Sequence, residues 1–102
     1  MNFKVKNKKR NNVAMIARKI GYRCLRKRKN DKEAKFVKPL ARGGYPRFHL
    51  FLKNDISDDE LIFSLHIDQK KPVYKDAHAH AAEYDSKIVE QEANRITKKL
   101  EQ

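Results

Sequence analysis

Two runs of alternating residues, Arg47 to Lys53 and Leu61 to Asp68, constrain the fold of this chain more than any other feature. In the first, Phe48, Leu50 and Leu52 fall on one side, while Arg47, His49, Phe51 and Lys53 fall on the other. The second repeats the pattern with Leu61, Phe63, Leu65 and Ile67, across an acidic turn at residues 54–60. A period of two over six or more residues is the mark of a half-buried strand, so the pair reads as an antiparallel hairpin with one core face. Lys35 to Leu40 and Tyr22 to Leu25 are further strand candidates, and Arg42-Gly43-Gly44-Tyr45-Pro46 is a tight connection between strands.

The hairpin needs a layer to cover its apolar side. Val13, Ile16, Ala17 and Ile20 recur at helical spacing behind an Asn11 or Asn12 cap, and Gly21 suits the position just past a helix end. Ile88, Val89, Ala93, Ile96 and Leu100 form a second apolar stripe, in a helix expected to start at Asp85 or Ser86. The chain therefore reads as an α+β fold. It has a helix, a three- to four-stranded antiparallel sheet and a second helix, in two layers with both helices on one face. Residues 1–10 read as a basic arm, although Phe3 and Val5 alternate as in a short edge strand, and 11–102 as a single domain. Residues 69–84 show no clear period, apart from an alanine-rich stretch at 77–82 that suits a helical turn.

A length of 102 residues allows one domain, and no apolar run approaches the roughly 20 residues of a membrane span. No apolar stretch follows the start in the manner of a secretory signal. One cysteine, Cys24, forms no internal disulfide and reads as a small strand residue, which points to a reduced, cytoplasmic setting. Nothing in the pattern calls for a cofactor.

Charge is where function shows. Residues 1–53 carry 18 Lys and Arg against two acids, a net of +16, whereas 54–102 carry a net of −4. Such a concentration of positive charge repels itself unless a polyanion relieves it, so nucleic acid is the expected partner, RNA ahead of DNA. The expected phosphate-binding residues are Lys8, Lys9, Arg10, Arg26, Lys27, Arg28, Lys29, Lys35, Lys38, Arg42, Arg47 and Lys53. Phe51, with Ile62, lies on the polar side of the hairpin, where an aromatic ring can stack a base, be covered by residues 69–84 or meet a second copy.

The same parity turns His49 and His66 to the polar side, in a register that sets them opposite or diagonal to one another. Two imidazoles beside Arg47 and Lys53 suit general acid–base attack of a ribose 2′-hydroxyl on its own phosphate, a metal-independent ribonuclease chemistry. An ordinary half-exposed histidine pair is the plainer reading. His78 and His80, with Asp68, supply the ligand types of a metal site, and a structured loop explains them as well. A protein-interaction role, or a homodimer, through the acidic C-terminal half is a further alternative.

The order helix, strands, helix resembles the double-stranded-RNA-binding domain and its relatives, among them the HicA family of mRNA-interferase toxins. Ile16-Ala17-Arg18-Lys19-Ile20-Gly21-Tyr22 is similar to that family's first helix and the Gly-aromatic step after it. Gly44-Tyr45-Pro46-Arg47-Phe48-His49 is similar to its glycine and histidine motif, which implies a catalytic role for His49. Tyr45-Pro46-Arg47-Phe48-His49-Leu50 and His66-Ile67-Asp68-Gln69-Lys70-Lys71-Pro72 also resemble segments of small uncharacterised microbial proteins.

Overall fold

The computed structural model describes residues 1–25, 34–54, 59–69 and 78–102, for 78–85 the backbone alone. Seven elements follow one another: β1 (Asn2–Lys6), α1 (Val13–Ile20), β2 (Arg23–Cys24), β3 (Ala34–Pro39), β4 (Arg47–Leu52), β5 (Glu60–Asp68) and α2 (His78–Glu101). The five strands form one antiparallel sheet in the order β1-β5-β4-β3-β2. The broad α+β class holds, with five strands in place of three or four.

The extra strand is β1, which the charge of the first ten residues disguises as an arm. Val5 is fully buried opposite Leu61, and the Phe3 ring stacks on Phe63 with centroids 5.4 Å apart. Two apolar side chains at alternate positions, joined to the backbone ladder that β5 offers, are enough to dock a five-residue edge strand. Residues 2–6 thus belong to the sheet.

Beyond β1 the chain turns through Asn7, whose buried side chain accepts from the Asn11 N–H (2.9 Å) and donates to the Asn11 carbonyl (3.2 Å). Asn12 then caps α1, its side-chain oxygen accepting from the Met15 N–H at 2.9 Å. At the other end Gly21 adopts φ 78°, where a side chain would be strained, and donates its N–H to Ala17. Replacing Asn12 by Ala leaves that Met15 N–H without its side-chain acceptor. Asn12→Ala is expected to lower stability by about 1 kcal/mol, read as a lower urea midpoint at unchanged slope.

Because β1 and β2 are opposite edges, α1 carries the chain from one side of the sheet to the other. It packs near β2 and against α2, while α2 packs over β1 and β5. Between helices and sheet lies one core that includes Ile16, Ile20, Phe36, Leu50, Phe63 and Ile96. Both helices therefore cover the same face, the one to which Phe48, Leu50 and Leu52 point. α2 begins at His78, about two turns before the expected cap at Asp85 or Ser86. The alanine-rich start carries helix propensity without an amphipathic stripe, which is why periodicity alone misses it.

A buried polar cluster joins the two ends of the chain beside this core. Glu92, 8% exposed, accepts from the Tyr22 hydroxyl (2.6 Å) and from both Nε and a terminal nitrogen of Arg95 (2.7 and 2.8 Å). Arg95 also donates to the Ile20 carbonyl at the end of α1 (2.7 Å). The carboxylate ties α2 to the connection between α1 and β2, and Arg95 extends the tie to the end of α1.

Candidate functional site: the open face of the sheet

The hairpin register decides what faces away from the helices. His49 is the direct cross-strand partner of His66, Arg47 of Asp68, and Phe51 of Ser64. Of the two registers the alternation permits, the structure has the one with the histidines opposite. Among the described residues, neither helix packs on this side.

These side chains are connected. Asp68 accepts from His49 Nδ1 at 3.0 Å and lies 3.4 Å from Arg47 Nε. A carboxylate on Nδ1 fixes the tautomer and leaves the lone pair of neutral His49 on Nε2. That Nε2 is buried and has no hydrogen-bond partner among the described residues. The Phe51 ring lies against the His49 ring with centroids 4.3 Å apart, and His66 meets it edge-on at 6.0 Å. His66 Nε2 shares a 2.9 Å hydrogen bond with Ser64 Oγ. Loss of hydration lowers the pKa of His66 below 6.5; the α-amino group, His49 and Lys53 push the same way, against the pull of Asp68. At neutral pH His66 is an uncharged imidazole, able both to donate and to accept.

The cations expected to bind phosphate are not all on this face. Lys35, Arg47 and Lys53 are, and the strand parity adds Lys4, Lys6 and Arg23 to them. Two carboxylates accompany the six, Glu60 at 3.9 Å from Lys4, and Asp68. Lys38 belongs to the helix-bearing face, with its ammonium 5.9 Å from the centre of the Tyr22 ring. Lys8 and Lys9 line a recess of about 360 Å³ with Lys6, Leu100 and Glu101, beside the end of α2. Arg10 (φ 51°) lies in the connection between β1 and α1, and Arg42 is exposed in the β3–β4 turn. Arg26, Lys27, Arg28 and Lys29 lie outside the described residues.

Arg23 was missed by sequence reasoning, and Lys4 and Lys6 were assigned to an arm. The signal for the two lysines was present, since the alternation that buries Val5 turns them outward. Val37 is the other surprise: it projects to the open face yet is only 2% exposed, flanked by Arg23 and His49 on the neighbouring strands.

Among the described residues no group of three or more His, Cys, Asp or Glu side chains is placed to hold a metal ion. Asp68 is engaged with His49 and Arg47, while the side chains of His78 and His80 lie outside the described set. Cys24 is exposed, and no described helix is long and apolar enough to cross a membrane. No family model, curated protein or solved structure matches this chain.

Proposed function

We propose that this chain is a small nucleic-acid-binding protein, RNA ahead of DNA, that engages the phosphate backbone with the open face of its sheet. One observation carries the reading. Six Lys and Arg against two carboxylates project from the side of the sheet opposite the helices. Such a one-sided excess attracts a polyanion and positions it.

A second reading, metal-independent RNA cleavage, is favoured by the direct pairing of His49 with His66 and by the Asp68 carboxylate on His49 Nδ1. That is the arrangement of a base held by an orienting acid, with a second imidazole near. The buried Nε2 stands against it, because the atom that takes the proton must reach the 2′-hydroxyl. Binding without cleavage is the better supported of the two.

A gel-shift panel of single- and double-stranded RNA and DNA, with RNA integrity checked in every lane, tests both. RNA is expected to be retarded at low salt and recovered intact, and the Arg23→Gln/Lys35→Gln variant to bind it severalfold more weakly. Absence of any shift at low ionic strength ends the binding proposal. Cleavage that survives chelator and disappears in His49→Ala would replace it with the nuclease.

A further inference from the structure

The open face holds more than charge, and its centre is aromatic. β4 is the third of five strands, so Phe51 stands mid-sheet. Its cross-strand neighbours are Lys35 on one side and Ser64 on the other, and His49 and Lys53 lie two positions away along its own strand. Lys53 holds its ammonium 5.3 Å from the centre of the ring. An apolar ring half-exposed among cationic and imidazole groups is poorly matched to water and well matched to a nucleobase with its phosphates.

From this we infer that the ligand is single-stranded RNA, with one unpaired base stacked on Phe51 and its flanking phosphates held by Lys35 and Lys53. The inference rests on the nucleic-acid reading above and adds the strand state and the contact point. Four inter-strand spacings make the face roughly 19 Å wide, a platform broad enough for a few nucleotides. A duplex laid on it offers phosphates at its rim and keeps its bases stacked inside, out of reach of a mid-sheet ring. A single strand can lay a base flat there. The Lys53 ammonium now sits against the ring face that a base would take, and an exposed cation–π contact is worth less than base stacking. The exchange also turns that ammonium from the ring toward the adjacent phosphate. The exposed His66 imidazole, whose Nε2 shares a hydrogen bond with the buried Ser64 Oγ, is the polar group beside the ring that can meet a ribose 2′-hydroxyl.

The chain contains no tryptophan, which makes the test direct. Phe51→Trp keeps the stacking surface and installs a lone tryptophan at the proposed contact, excited at the red edge of its band apart from the four tyrosines. Its emission is expected to be quenched by a short single-stranded RNA, saturating at the concentration that saturates binding by an independent anisotropy measurement. Phe51→Leu keeps an apolar side chain of similar reach and removes the π face; it is expected to lose about 5- to 150-fold in affinity for single strands. Its circular dichroism is expected to match the wild type, so that lost affinity is read apart from lost folding. Should Phe51→Leu bind as tightly as the wild type, or duplex RNA or single-stranded DNA bind more tightly than single-stranded RNA, the inference is wrong while the basic-face reading stands. If the wild type binds no nucleic acid of any kind, both fall.

Discussion

Glu92→Ala is expected to destabilise the fold by about 3 kcal/mol, measured as a fall in the urea midpoint at unchanged slope. Among the described residues the carboxylate is the only acceptor of the Tyr22 hydroxyl and the main one for Arg95, and it is nearly inaccessible to water. Removing one member of a buried charged set leaves the others desolvated and unmatched, typically at about 3 to 5 kcal/mol. The Arg95 side chain keeps 34% of its exposure, so water partly compensates it and the lower end applies. A loss below about 1 kcal/mol would show that the cluster is only a surface ion pair.

The same carboxylate gives the fold an acid dependence whose sign can be worked out. Burial raises the Glu92 pKa, but hydrogen bonds from Arg95 and Tyr22, with the positive charge of Arg95 and Lys38, outweigh it and leave the value below 4.5. As pH falls, the unfolded chain therefore takes up this proton before the folded one does. The stability contributed is complete above about pH 5 and is lost as the pH drops through the depressed folded value. Glu92→Gln is expected to be less stable than the wild type at neutral pH and to show a shallower decline in acid. Burial and Glu92 push the Tyr22 hydroxyl far above its usual range, so it remains a donor throughout.

How much of this was legible beforehand follows from range along the chain. The parity of residues 47–53 and 61–68 is local, and it alone places His49, His66, Phe51 and Asp68 on one face. Whether His49 meets His66 directly or diagonally depends on how the acidic turn closes, which alternation leaves open. β1 was obscured because an edge strand of five residues takes its support from β5, nearly 60 residues away, while its own lysines look like a tail. The first turns of α2 were legible only in part, as an alanine-rich stretch at 77–82 that suits a helical turn, because good intrinsic propensity came there without a stripe. Glu92 and Arg95 are three apart and visible as a helix pair. Their burial is not, because it requires Tyr22, which lies 70 residues before Glu92. Lys38 shows a reading left unused: its parity with Phe36 already set it on the helix side, away from Lys35.

Salt is the second lever with a large expected effect, and its size counts the contacts. Each phosphate held by a cation contributes about −0.7 to the slope of log affinity against log salt for a single strand. If all six open-face cations engage phosphate, the slope is about −4, and raising salt from about 50 to about 200 mM cuts affinity about 300-fold. Lys4 faces Glu60 at 3.9 Å and Arg47 faces Asp68 at 3.4 Å, so both have competing partners. If four of the six engage phosphate, the slope is about −3 and the loss about 50-fold. Anisotropy of a labelled single-stranded RNA across a potassium chloride series distinguishes these counts. Asp68→Asn removes the competitor of Arg47 and is expected to steepen the slope by somewhat less than one phosphate. It also releases His49 from its orienting carboxylate, so the same variant, incubated with intact RNA, reports whether that pairing serves cleavage or only holds the face in shape. A slope near zero in the wild type would mean that the cations of the open face do not meet phosphate at all. An unchanged slope in Asp68→Asn, beside a steep one in the wild type, would mean that Arg47 reaches phosphate with its carboxylate still in place.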